Sequence, residues 1–325
     1  MDIQYALNRY GFAETVLREL THLSEAFVQQ GHRFHCLGAG VIEVAPLNVT
    51  RAAVIVSVGV HGDETGPIEL VDALFNDLLQ GKLTLRKRVL FILAHPEAVK
   101  AHTRFIDTNL NRLFGGQGGS TLEHLLARNL TAIIRKFYVS AEERWHLDLH
   151  SAIRDSHHYA FAVRPFTTPP LPTQQLFCFL FHAGVEAVLE STTPSSTFSW
   201  HSAHYHRALA VTVELGQAAP FGRNELLQRH PFRSTLTAFI EDKLDLNGDE
   251  QPLVYVVNRV LTRKSNNFKF DFPSSLANFT LLNEGQRIAT NGDVLITAQA
   301  GEMVVFPNPS VPIGQRAALL VVEKK

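Results

Sequence analysis

Residues 54–70, VIVSVGVHGDETGPIEL, end a run of β-branched apolar residues in His61, Gly62, Asp63 and Glu64 before a helical pattern begins. His61 and Glu64 offer an imidazole and a carboxylate three residues apart on one turn. Two histidines and one glutamate form a known ligand set for a catalytic zinc that keeps a fourth position open. The competing role is structural: Asp63 and Glu64 complement the N-terminal end of the next helix, and Pro67 suits its first turn. Four residues do not decide between these roles, and the spacing is not that of the HExxH signature. Gly62 allows the unusual backbone angles that such a turn can need.

A third ligand has to come from another strand end. His150 closes the run WHLDLHS, and His146 and Asp148 precede it at two-residue intervals, on the same face of a strand. The alternative for such a histidine is a hydrogen-bonded core residue. The loop RFIDTNLNRLFGG carries Arg104, Asn109, Asn111 and Arg112. Guanidinium groups present a planar fork suited to carboxylates, whereas the bland alternative is a surface turn with solvated arginines. In LAVTVELG, Glu214 ends a β-branched run. A carboxylate beside an activated water accepts its proton and returns it to a leaving nitrogen, unless Glu214 merely caps the turn before Gly216.

These groups need a scaffold that gathers strand ends. From about residue 50 to 245 short apolar runs alternate with amphipathic ones, such as AAVIVSVGV, RVLFILAHP and ALAVTVELG against PIELVDALFNDLLQ and LEHLLARNLTAIIRKF. Apolar runs without polar alternation predict strands covered on both faces, hence an α/β fold with a mixed sheet flanked by helices. In such sheets ligands bind beyond the carboxyl ends of strands, where His61, His95, His150 and Glu214 all fall. Residues 1–50 read as a helix followed by short strands. After LNGDEQ the pattern changes to short alternating runs punctuated by Gly, Asn and Pro, which predicts a small C-terminal all-β domain. The expected boundaries are 1–248 for an α/β catalytic domain and 249–325 for the β-domain packed beside its active site.

With 30 basic and 31 acidic residues, the chain of 325 has a formal net charge of -1. It lacks the concentrated basic field that nucleic acid or an anionic membrane surface would require. A small anionic substrate would therefore be attracted by local arginines. The longest apolar runs fall short of the ~18 residues of a spanning helix. Two cysteines, Cys36 and Cys178, and no leader-like start point to reduced thiols and a cytoplasmic protein. The sequence gives no indication of oligomeric state.

In this order, the HxxE pair, the NxNR loop, DLHS and VELG resemble the zinc carboxypeptidase-like superfamily, and within it the succinylglutamate desuccinylase/aspartoacylase branch. The C-terminal segments with GD, FPNP and RAALL fit that branch as well. The resemblance implies one Zn2+ per chain held by His61, Glu64 and His150, with Glu214 as general base. It implies that Arg104 polarises the scissile carbonyl and binds substrate, and that Asn111 and Arg112 contact substrate carboxylates. The implied reaction, on the desuccinylase side, is hydrolysis of N2-succinyl-L-glutamate to succinate and L-glutamate, the last step of arginine breakdown by the succinyl route. Related readings are an N-acetylaspartate-type deacylase, a peptide carboxypeptidase and a zinc-binding protein without catalysis. A serine hydrolase built on Ser57 or Ser151 lacks the GxSxG elbow. Two departures stand out. Asp63 occupies a position where Asn is expected in many desuccinylases. An arginine found upstream of the catalytic glutamate in aspartoacylases has no aligned counterpart, with His204 at that spacing and Arg207 nearby. His157, His158, His201, His204 and His206 read as ordinary polar residues.

Overall fold

A computed structural model describes residues 2–21, 25–38 and 40–324. The chain begins with helix α1 (Ile3–Leu17) and the antiparallel strands β1 (Ala26–Gln29), β2 (His32–Gly38) and β3 (Val41–Pro46). It then alternates through β4 (Ala52–Val58), α2 (Thr65–Leu79), β5 (Arg88–Leu93), α3 (Pro96–Ala101), α4 (Leu122–Phe137) and β6 (Glu143–Ala152). The alternation continues with β7 (Ala160–Arg164), α5 (Gln174–His182), β8 (Ala187–Glu190), α6 (Phe198–His206), β9 (Leu209–Gln217), α7 (Glu225–Arg229) and α8 (Phe232–Ile240). The C-terminal region contributes strands: β10 (Leu253–Thr262), β11 (Lys269–Phe270), β12 (Thr280–Leu281), β13 (Arg287–Asn291), β14 (Val294–Thr297), β15 (Met303–Val305) and β16 (Arg316–Glu323).

Thirteen strands form one mixed sheet in the order β1-β2-β3-β5-β4-β6-β9-β7-β8-β10-β16-β15-β12, while β11, β13 and β14 form a second sheet. The centre is parallel, β5-β4-β6-β9, and its apolar runs are explained by burial on both faces. Val54, Val56 and Val58 face one core with Phe75 of α2, Phe12 of α1 and Phe239 of α8. Their neighbours Ala53 and Ile55 face another, with Leu130 and Ile134 of α4 and Phe198 of α6. The alternation of side chains along a strand divides one apolar run between two cores.

The C-terminal segment forms an antiparallel β-domain whose first strand also extends the central sheet. β10 pairs in parallel with β8, residue Leu253 beside Ala187, and antiparallel with β16, so the sheet runs without a break into residues 250–324. Its apolar residues Tyr255, Val305 and Leu319 share a cluster with Phe161 and Leu189 of the central region. Among the described residues no helix is long and apolar enough to cross a membrane.

Candidate active site

The parallel centre brings the carboxyl ends of β4, β6 and β9 side by side. Ser57 is in register with Asp148, and His150 with Glu214. In β6 the residues Trp145, Leu147 and Leu149 enter the core with α2 and α8, which leaves His146, Asp148 and His150 on the opposite face. Glu214 shares that face as the register partner of His150. Beyond β4 the chain makes a tight turn through residues 59–64 into α2. Gly62 is required there by a close approach: a Cβ would lie 2.1 Å from the Ala98 carbonyl carbon of α3. Its φ is not left-handed, so space and not an unusual backbone angle explains the glycine. The Gly62 N–H donates to the Arg104 carbonyl at 3.3 Å, tying this turn to the arginine loop.

His61, Glu64 and His150 converge, with one ligand atom from each lying within 4.8 Å of the others. His61 Nδ1 is 2.9 Å from Glu64 Oε1, and His150 Nδ1 is 2.9 Å from Glu64 Oε2. The other nitrogens also face acceptors: His61 Nε2 lies 3.1 Å from Asn109 Oδ1, and His150 Nε2 lies 3.1 Å from Asp148 Oδ2. Asn109 cannot present its amide nitrogen instead, because the same oxygen accepts from the Asn111 N–H at 3.0 Å. A neutral imidazole donates from one nitrogen only. Each ring therefore sets a lone pair against an oxygen unless positive charge sits between Nδ1 and the Glu64 carboxylate. A cation there, with both ring protons on Nε2, satisfies every group, and this donor set is one that zinc accepts.

The electrostatics point the same way. Burial pushes His61 down to about 4, with Arg104 and His150 adding to the effect against Glu64. Burial opposes the charge on Glu64, but His61 and His150 outweigh it and hold the carboxyl well below its ordinary range. His150 is driven the other way: burial disfavours its charge, yet Asp148 and Glu64 raise it well above the usual imidazole value. Two carboxylates thus favour positive charge between them.

Glu214 lies beside this cluster and is 8% exposed. Burial raises its carboxyl to about 7, with Glu64 and Asp148 adding and His150 and Arg104 opposing. Its carboxylate has no hydrogen-bond or ion-pair partner among the described residues. Arg104 reaches in from the loop, with Nη1 2.7 Å from Glu64 Oε1 and 3.9 Å from Asp63 Oδ1. That Asp63 oxygen is buried without a hydrogen bond, and burial chiefly raises its carboxyl. Asn111 is buried and its side-chain oxygen accepts from the Phe198 N–H at 2.9 Å, fixing the start of α6. Arg112 sits in the 3-10 turn Leu110–Arg112. Among the described residues its guanidinium donates only to its neighbour, the Asn111 carbonyl, at 3.0 Å. Burial, then Arg316 and Arg104, push Arg112 down to about 9.

Several polar groups stand behind the site. Asp148 orients His150 and also accepts from Ser57 at 2.6 Å, while Ser57 contacts His146, and His146 contacts Ser202 of α6. The two-residue spacing of WHLDLH is the signal that places Asp148 with His150. Ser57 and His146 are fully buried, which removes Ser57 as a nucleophile. Glu123 has no such signal. Its carboxylate accepts from the Ile106 and Asp107 N–H groups, both at 2.9 Å, and from His95 Nε2 at 3.2 Å. His95 is therefore drawn away from the metal cluster: it caps α3 and braces the arginine loop. His204 stacks on Trp200, and Arg207 donates to the Pro169 and Pro170 carbonyls, so neither supplies the upstream arginine of aspartoacylases. A second trio with ligand atoms in reach, Cys178, His182 and Glu250, includes two exposed residues and is built on α5.

Comparisons with known proteins point to one family. Residues 51–240 match the family described as succinylglutamate desuccinylase/aspartoacylase catalytic domain, and residues 250–324 match the AstE/AspA barrel-sandwich hybrid domain. The chain is 42% identical over 304 residues to succinylglutamate desuccinylase of Vibrio vulnificus, covering 92% of this chain and 89% of that protein. The crystal structure of the enzyme of that name from Vibrio parahaemolyticus superposes with a TM-score of 0.90 at 40% identity, over 98% of this chain and 96% of that one. A mutant of murine aminoacylase 3 shares the fold, with a TM-score of 0.58 at 19% identity over 85% of this chain and 96% of that one. The chain belongs to the succinylglutamate desuccinylase/aspartoacylase family.

Proposed function

We propose that this protein is a zinc-dependent amide hydrolase that cleaves N2-succinyl-L-glutamate to succinate and L-glutamate. The observation that carries it is the convergence of His61, Glu64 and His150 with Glu214 alongside, in a chain 42% identical to a succinylglutamate desuccinylase. One zinc per chain would be held through the Nδ1 atoms of His61 and His150 and the Glu64 carboxylate. When bound, zinc supplies Lewis acidity, making a water nucleophilic near neutral pH and polarising the scissile carbonyl.

The chain's own groups do the rest. Glu214 accepts a proton from the attacking water and delivers it to the departing amide nitrogen, a task suited to a carboxyl whose pKa lies near neutrality. Arg104, at the edge of the cluster, stabilises the oxygen on which negative charge develops. Asn109 and Asp148 hold the two imidazoles in one orientation, which keeps the ligand nitrogens directed inward. Arg112, with Asn111 beside it, holds a substrate carboxylate. The substrate carries three carboxylates, which fits a group of guanidiniums in a chain of net charge -1. The cysteines, Cys36 and Cys178, are free and buried, which is compatible with a reducing cytoplasm.

Zinc-loaded protein assayed on N2-succinylglutamate, N-acetylaspartate and N-acetylglutamate tests the substrate. Succinate release in clear preference to acetate release is expected. Preferential release of acetate would replace the desuccinylase by a related deacylase.

A further inference from the structure

The guanidinium of Arg316 comes from β16, outside the region matched to the catalytic domain, yet contacts along the sheet carry it to the active-site face. Phe161 of β7 is the antiparallel register partner of Glu214, so the two side chains leave the sheet on the same face. The Phe306 ring packs 5.6 Å from that of Phe161, and the Arg316 guanidinium lies 5.5 Å over the Phe306 ring. Stacking on an aromatic face restrains a guanidinium while leaving its donors free. Arg316 feels the charge of Glu214, and Arg112 feels Arg316 and Arg104. Arg104 and Arg316 thus both lie near Glu214, and Arg112 lies near both of them.

They are not equally employed. Arg104 is paired with Glu64. Among the described residues neither Arg112 nor Arg316 has an acidic group within salt-bridge distance. Arg316 is open to solvent and thus accessible to a ligand. Like charges gathered without counter-charge cost energy unless an anion completes them. A planar fork beside a second unpaired fork matches a carboxylate.

We propose that Arg316 and Arg112 form a carboxylate subsite for the substrate, built across the catalytic and C-terminal regions, with Arg316 as a residue that determines specificity. Resting on the desuccinylase reading for its substrate, it assigns the C-terminal strands a direct part in recognition. The Arg316→Met variant keeps an unbranched stem on Phe306 and removes the charge. With zinc content and melting temperature unchanged, it is expected to raise KM for N2-succinylglutamate by about tenfold or more while kcat changes far less. Arg316→Lys should recover part of the loss.

The same comparison on N-acetylglutamate, which lacks the succinyl carboxylate, on the succinylated 5-amide of glutamate, which lacks the side-chain carboxylate, and on N-succinyl-4-aminobutyrate, which lacks the α-carboxylate, identifies the bound group. The penalty of Arg316→Met should shrink toward one on whichever substrate lacks it. An unchanged KM, or an equal loss on every substrate, overturns the subsite. Calorimetric binding of succinate and of glutamate to zinc-loaded protein is the second readout. If wild type hydrolyses none of these amides but binds one of these anions in an Arg316-dependent way, the desuccinylase reading fails and the subsite stands. If wild type hydrolyses the succinyl amide and Arg316→Met binds both anions as wild type does, the subsite fails and the desuccinylase stands.

Discussion

The two imidazoles of the cluster are each held from behind by an oxygen that only accepts: Asn109 Oδ1 for His61 and Asp148 Oδ2 for His150. The remaining oxygen of Asp148 accepts from Ser57 at 2.6 Å, and both partners of the carboxylate are fully or almost fully buried. An amide in its place can keep one acceptor toward His150 but carries no charge with which to hold that imidazole. The Asp148→Asn variant is therefore expected to fold but to bind zinc about 10–100-fold more weakly, the usual cost of losing such a supporting group. Competition against a chelator of known affinity measures this, and unchanged affinity would show that Asp148 does not position His150. Asp63 differs in kind. Its Oδ1 lies 3.9 Å from Arg104 Nη1 and accepts no hydrogen bond.

Among the elements, the link between α4 and the arginine loop bears most on the site. Glu123 in the first turn of α4 is fully buried, accepts from two loop N–H groups and from His95, and its carboxyl is held down at about 2. Burial works against that charge, and the backbone N–H groups with His95 overcome it. The folded value lies below the ~4.3 of an unfolded glutamate. Its contribution to stability is thus full above about pH 4.3 and is lost as pH falls from there toward 2. Glu123→Gln is expected to cost about 1–3 kcal/mol at neutral pH and to flatten the stability profile between those limits, read from denaturant melts at a series of pH values. A parallel pair of profiles would remove Glu123 as the clamp. Strand β6 shows how much of the site is legible in sequence. WHLDLH alternates polar and apolar residues inside a strand buried on both faces, and that pattern alone sets His146, Asp148 and His150 on one side. Nothing comparable marks Glu123, because its partners lie in a loop whose path no periodicity describes. His95 misleads for the same reason: it follows a strand as His61 does, but the next residues form α3 and turn it toward Glu123. Gly62 suggests conformational freedom when only its sequence is considered, whereas the neighbouring helix backbone is what excludes a side chain.

At the scale of the molecule, one sheet passes from the parallel centre through β8 and β10 into β16 and β15. The change of pattern after residue 246 is visible in sequence, but the parallel pairing of Leu253 with Ala187 is not, since register between distant segments leaves no local trace. Removing residues 249–325 would strip β8 of a partner and uncover Phe161, Ala187 and Leu189. A chain truncated there is expected to aggregate, as size-exclusion chromatography would reveal, and a stable monomer would show instead that the two regions fold independently. The same continuity brings Arg316 to the face of Glu214, so recognition and hydrolysis share one sheet. The central claim is that His61, Glu64 and His150 hold the zinc beside which Glu214 works as a base. Zinc titrated into metal-free wild type and Glu214→Gln, with bound metal and succinate release measured on the same samples, tests it most directly. Wild-type succinate release should rise to a plateau at one bound zinc per chain, while Glu214→Gln takes up the same zinc with succinate release lower by about 100-fold or more. Full activity in the metal-free protein, or in Glu214→Gln at equal zinc, would contradict it.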